Sequence, residues 1–251
     1  MPGPALPPAD ARPLRSGSAS SLGTAPAVAV LVLVQSQPGA VAWGWSRVVL
    51  GRFALRGIEG LRFARALGSG REGGFGLEPS RDRQGLFALF DDDAAADAFL
   101  DRSRVLMAYR EHARELLVAK LRATASRGSW SGMRIAVTLP PDPRAPVAAL
   151  TRASIRPRRA LAFWRHAPAA QASLDTAPGC RLAVGLGEAP LLRQATFSVW
   201  DDSAAVDAYA RSGAHLDAIR AAQRGRYFSE SMFVRFLPLR LQGVWKGRRY
   251  G

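Results

Sequence analysis

Cysteine and lysine are almost missing from this chain: Cys180 stands alone, and Lys120 and Lys246 are the only lysines among 251 residues. A lone cysteine excludes an internal disulfide and a thiolate zinc cluster, which suits a reducing cytosol. Histidine is scarce too, with His112, His166 and His215 the full set, so chemistry that needs imidazole has a short list of sources. Long hydrophobic runs are also lacking. The run AVAVLVLV at 27–34 falls far short of the roughly 20 residues that span a bilayer. It has neither an abutting basic cluster nor a clear cleavage site, and reads as a buried strand ended by Pro38 and Gly39 and not as a signal sequence.

What is abundant is arginine, which brings the formal net charge to +15. Arginine in place of lysine throughout reflects GC-rich coding more simply than function. The remaining excess favours acidic partners, either anionic lipid or an acidic redox protein. The basic residues are dispersed and not interleaved with aromatics in a recognition module, which argues against nucleic acid. Residues 1–26, rich in Pro, Ala, Ser and Gly, hold too few large apolar groups to offset the entropy of ordering and read as a disordered tail.

The chain contains one passage twice. FALFDDDAAADAF at 87–99 aligns without a gap to FSVWDDSAAVDAY at 197–209, with seven of thirteen positions identical. A glycine-rich stretch precedes each copy (GSGREGGFGLEP and GCRLAVGLGEAP). A helix-like stretch, an apolar strand (LLVAKL and MFVRFL) and a Trp-x-Gly close follow each (Trp130 with Gly132, Trp245 with Gly247). A period near 110 residues is too long for a solenoid unit and fits two copies of a small domain, 27–132 and 133–251.

Periodicity places strands near 27–34, 62–69, 84–90 and 114–122 and helices near 47–58 and 93–110 in the first copy. In the second copy it places strands near 133–138, 147–154, 180–186, 192–200 and 231–240, with helices near 157–165 and 203–223. Asp92 or Asp93, and Asp202 or Ser203, are the expected helix caps. Each copy reads strand, helix, strand, strand, helix, strand. The fold class is therefore α+β, two tandem ferredoxin-like repeats packed as a pseudo-dimeric α/β barrel.

Further residues carry a resemblance. TRASI (151–155), FW (163–164), GLGEAP (185–190), QATFSVWDD (194–202), AHLDAI (214–219), YFSESMFVRF (227–236) and GVWKG (243–247) occur in an order that resembles the spheroidene monooxygenase family. GSG (68–70), GF (74–75), Pro79 and RGSWSG (127–132) extend it, to roughly residues 45–247. The resemblance implies a bacterial haem-containing oxygenase that introduces a keto group into acyclic carotenoids, using dioxygen and reduced ferredoxin. It also implies a lipophilic substrate drawn from a membrane by a cytoplasmic enzyme with at most peripheral membrane contact. Other readings are a barrel monooxygenase acting on another lipophile and a non-catalytic haem or lipophile carrier.

Oxidising an unactivated carbon with dioxygen needs a centre that passes electrons singly, which haem b supplies through its iron. A protein holds such iron through a neutral His, a thiolate or a Tyr. Within the resemblance His215 is the favoured ligand, projecting from a helix toward the space between the sheets, while its counterpart in the first copy is Val105. His112 lies among charges, His166 at a helix end, and Cys180 beside a strand start. Arg193 and Gln194 are candidates to meet a haem propionate or a substrate end. GSGREGGFG lacks the Lys-Ser/Thr of a phosphate loop. The six tryptophans and their neighbouring phenylalanines are divided between core filling and a polyene channel.

Overall fold

In β1 (Val28–Ser36) valines alternate with alanine and leucine along eight consecutive apolar residues that include Ala27, and all of them are buried. Such a strand must be covered on both faces. One face meets a layer of helices and the other the inside of a barrel. The structure, a computed structural model, describes residues 27–251 except 75, 77, 166–168, 170, 171, 175 and 190. The sequence's expected disordered tail, residues 1–26, lies outside the described residues.

Pro38, with its φ preset for a first turn, opens a short 3-10 turn that leads directly into α1 (Val41–Ala54), so this helix begins ahead of the expected residue 47. β2 (Leu61–Gly70), β3 (Pro79–Phe90), α2 (Asp93–Arg102), α3 (Arg104–His112) and β4 (Ala113–Gly128) complete the first half. The second comprises β5 (Val147–Ile155), a 3-10 turn at Pro157–Arg159, α4 (Ala160–Trp164), β6 (Cys180–Ala189), β7 (Arg193–Trp200), α5 (Ser203–Ala210), α6 (Gly213–Arg224) and β8 (Phe228–Trp245). A short β9 (Arg248–Tyr250) follows.

Two expected helices are each broken in two. Ser103 and Ser212 are extended; the Ser103 hydroxyl accepts a bond from the Leu106 amide at 3.1 Å and so caps the new helix, while the Ser212 hydroxyl donates back to the Ala208 carbonyl at 2.8 Å. Asp92 and Asp202 are the caps, each accepting from the amide three residues on at 2.8 Å. The strand expected at 133–138 is absent and leaves only a Trp130–Met133 bridge. Both edges of β4 are already taken, by β1 and β8, so that segment has no free edge to join.

Each half has the ferredoxin-like strand order: β4-β1-β3-β2 in the first and β8-β5-β7-β6 in the second. The sheets join through a long β4–β8 ladder and a two-pair junction of Gly68–Gly187 and Ser69–Leu186. Among the described residues eight strands thus close into an antiparallel barrel. Its interior is one apolar cluster drawn from both halves, with Leu31, Phe87, Trp130, Phe197, Phe236 and Trp245 among its largest members.

A reciprocal clasp locks the two halves. Glu115 accepts from the amides of Lys246 and Gly247 at 2.7 and 2.8 Å, and Glu230 accepts from those of Ser131 and Gly132 at 3.0 and 2.9 Å. Each carboxylate therefore caps the Trp-x-Gly turn of the opposite half. Gly128 and Gly243, at equivalent places, have φ of 85° and 126°, and a Cβ on either would lie about 2 Å from a backbone oxygen of the facing strand. Only glycine permits that approach.

Burial alone would raise the pKa of Glu230. The Gly132 and Ser131 amides, the Ser129 hydroxyl and Arg152 outweigh it and hold the pKa at about 2. Because the folded value lies below the ordinary 4.5, this contribution to stability is complete above that pH and is lost as pH falls toward about 2. Glu230→Gln is expected to flatten the acid limb of the stability curve between those values. Denaturant midpoints measured across that range check it, and an unchanged limb contradicts the assignment.

Candidate active site

The helix-facing surfaces of the two sheets carry different side chains at matching places. The registers Val28–Phe90 and Val147–Trp200 align the halves, so Val30, Val32 and Val34 of β1 stand where β5 has Ala149, Thr151 and Ala153. Leu86 and Ala88 of β3 stand where β7 has Thr196 and Ser198. In the first half these residues pack against Phe99, Leu100, Leu106 and Tyr109 in a continuous core. In the second, the buried cluster among the described residues is Val147, Ala149, Leu174, Trp200 and Val206. Shorter side chains on the sheet leave space beneath the helices.

That space is a cavity of about 260 Å³. Its floor is Ala149, Thr151, Ala153, Gln194, Thr196, Ser198, Ser231 and Phe233, and its roof is Val206, Tyr209, His215, Ala218, Ile219 and Ala222. Phe163, Trp164, Tyr227 and Phe228 line it at the side of α4. The Trp200 indole donates to the Ser198 hydroxyl at 2.8 Å, so Trp200 is buried without an orphaned N–H. The lining is mainly apolar, with Thr151, Arg152, Thr196, Ser198, Ser231 and Gln194 among its polar residues.

His215 lies in the first turn of α6 with its ring against this cavity, stacked on Tyr209 at 4.5 Å and 27°. Burial lowers its pKa, which favours the neutral ring that can act as a ligand. The position differs from the expected one in a definite way. His215 faces the gap between the second sheet and its helices, because the space between the two sheets is filled by the barrel core.

The other candidates are placed differently. Gln194 lines the cavity, while Arg193 beside it is exposed and outside the lining. His112 lies flat on Trp43, 4.2 Å between centroids and 7° between planes, with Nδ1 2.9 Å from the Ala108 carbonyl oxygen, so packing accounts for it. The Cys180 thiol lies 3.5 Å from the Leu182 carbonyl oxygen, away from the lining. His166 lies outside the described residues. Of the aromatics, Trp164, Trp200, Phe163, Phe228 and Phe233 line the cavity, whereas Trp130 and Trp245 fill the barrel.

One group sequence reading did not single out sits below the cavity floor. Arg152, 2 % exposed, points inward from β5, its guanidinium 3.1 Å from Glu188 and 2.5 Å from Glu230. Glu188, beyond the strand expected at 180–186, is in β6, where it also accepts from the Trp130 indole at 2.7 Å and faces Arg65 at 3.3 Å. Strand alternation was the available signal. Arg152 follows inward Leu150, and Glu188 follows inward Leu186, so both charges fall on the core face and need partners there. Removing Glu188 alone leaves Arg152 buried beside a single carboxylate. Glu188→Ala is therefore expected to cost about 3–5 kcal/mol of stability, read from denaturant unfolding.

No three His, Cys, Asp or Glu side chains converge as a metal site among the described residues. A metal held at this cavity would have to bring most of its own coordination sphere, as a macrocycle does, and take a single donor from the protein.

No protein-family model matches the chain. It is 59 % identical over 89 % of its length to a spheroidene monooxygenase of Rubrivivax gelatinosus, 87 % of which is covered. It is 35 % identical over 82 % of its length to the spheroidene monooxygenase of Rhodobacter capsulatus, again with 87 % covered. Among solved structures an aldoxime dehydratase shares the fold with a TM-score of 0.55 at 12 % identity, covering 84 % of this chain and 81 % of that one.

Proposed function

The chain belongs to the spheroidene monooxygenase family, and from that premise we propose that it is a haem-dependent oxygenase that introduces a keto group near the end of an acyclic carotenoid, drawing electrons from reduced ferredoxin. That it is a monooxygenase follows from the family. The observation that carries the finer reading is the cavity itself, which lies in the half that carries His215, where the first half, counted from its helix cap, packs Leu106 into its core.

The residues suit a haem. His215 offers a ring nitrogen whose pKa burial lowers, Tyr209 stacks on its ring, and the apolar lining would keep water from the reacting carbon. At about 260 Å³ the cavity is smaller than the roughly 300–1,000 Å³ usual for ligand sites, so haem entry requires the helix layer to open. When bound, the haem supplies the iron at which dioxygen is reduced by single electrons. His215 would hold the iron, and Gln194 with Arg193 at the edge would meet a propionate or the substrate end.

The test supplies an acyclic carotenoid, reduced ferredoxin and labelled dioxygen to the haem-loaded protein and reads product mass. A product that has gained one oxygen from dioxygen and lost two hydrogens at the chain end is expected. A haem-loaded protein that leaves carotenoid unchanged but oxidises another lipophile overturns the substrate, and one that oxidises nothing is a carrier.

A further inference from the structure

Three segments meet beside the α4 side of the cavity. The Trp164 indole donates to the Leu191 carbonyl at 3.0 Å, the Ile155 amide to Leu192 at 2.7 Å, and the Arg156 amide to Tyr227 at 2.8 Å. The Arg156 side chain adds a bond to the Phe228 carbonyl at 3.2 Å. Residues 155–165, 191–194 and 223–229 therefore form one surface.

Its composition is one-sided. The three segments hold Arg156, Arg158, Arg159, Arg165, Arg193, Arg224 and Arg226 and not one Asp or Glu. Elsewhere arginines are commonly paired, as Arg62 with Asp91, Arg71 with Glu78, Arg181 with Asp201 and Arg235 with Asp207. None of the arginines here has a carboxylate within salt-bridge distance among the described residues. Two leucines stand out from the same surface, Leu161 at 71 % exposed and Leu191 at 46 %. Leu191 has φ of 68°, an unfavourable conformation for leucine, held by the turn between β6 and β7. Directly behind them lie Phe163, Trp164 and Phe228, which line the cavity.

We propose that this surface docks on an anionic lipid bilayer, the arginines meeting headgroup phosphates and Leu161 and Leu191 entering the acyl boundary, so that the cavity takes its substrate directly from the membrane. It rests on the reading of a lipophilic substrate. An acidic electron donor would be met by the arginines but offers nothing to two protruding leucines. The exposed apolar residues of α1, Trp45, Val49, Leu50 and Phe53, belong to the half without the cavity.

The full chain is sedimented with vesicles of phosphatidylcholine alone and of phosphatidylcholine mixed with phosphatidylglycerol. Binding only to the anionic vesicles, weakened by salt, is expected. Arg158→Gln with Arg159→Gln is expected to weaken it by about fivefold per arginine, and Leu161→Ser to weaken it further with less salt dependence. All sites are exposed, and unchanged thermal unfolding confirms that each variant is folded. Absence of vesicle binding overturns the proposal. So does binding that survives these changes and is lost in Val49→Ser with Leu50→Ser on α1. A loss of ferredoxin binding with vesicle binding intact overturns it too, making the surface a donor site. The assay needs neither haem nor turnover, so a protein that binds vesicles but no haem keeps this proposal and loses the preceding one.

Discussion

His215→Ala is expected to lower carotenoid turnover by at least about 100-fold, a larger effect than the 10- to 100-fold typical of losing a group that merely supports a metal ligand. Among the described residues the ring is the only imidazole lining the cavity, and its burial lowers its pKa, which favours the neutral form that ligation requires. Its removal leaves a hole beside Tyr209 large enough for free imidazole. Imidazole added to the variant is therefore expected to restore part of the activity, which a structural role for His215 would not produce. His112→Ala, at a ring stacked on Trp43 in the other half, is the matching control and is expected to cost stability while sparing turnover per folded molecule.

Filling the cavity is expected to separate stability from function. Ala149→Val, Thr151→Val, Ala153→Val and Thr196→Leu together give the second sheet the residues the first carries at the same places. Each added buried methylene contributes about 0.8 kcal/mol, against an overpacking cost of about 1–3 kcal/mol. A net gain of roughly 2 kcal/mol in unfolding free energy is expected, with haem retention and turnover lost. Function here is bought by leaving one of two equivalent cores unfilled. If the filled variant keeps both haem and activity, the reaction lies elsewhere in the molecule.

How far the sequence reveals this can be judged residue by residue. The doubled DDxAAxDA passage, its capping aspartates and the Trp-x-Gly closes are local signals, and they lead to the barrel with its helices on the outside. The helix breaks at Ser103 and Ser212 are hidden because apolar periodicity continues through them while each hydroxyl bonds the backbone locally, Ser103 accepting from the Leu106 amide and Ser212 donating to the Ala208 carbonyl. The missing strand at 133–138 is hidden because its pattern is strand-like and only the closed sheet denies it an edge. His215 is legible by its scarcity and by its apolar counterpart. The side of the sheet it faces is not, since that depends on which of two apolar layers fills completely. The cavity floor is spread over three strands, and its small residues acquire meaning only once the register sets Ala149, Thr151, Ala153 and Thr196 against Val30, Val32, Val34 and Leu86 in the first half. Arg152, Glu188 and Glu230 come from three strands as well, and no spacing in the chain announces their meeting.

The claim on which the rest depends is that the second half holds haem through His215. A haem titration followed by absorbance, run side by side on the wild-type protein, His215→Ala and the filled variant, tests it most directly. The account predicts one haem per wild-type chain with the spectrum of a histidine-ligated iron, a weakened and spectrally altered complex in His215→Ala, and none in the filled variant. Equal binding with identical spectra in all three would contradict it, and would move the cofactor away from this cavity.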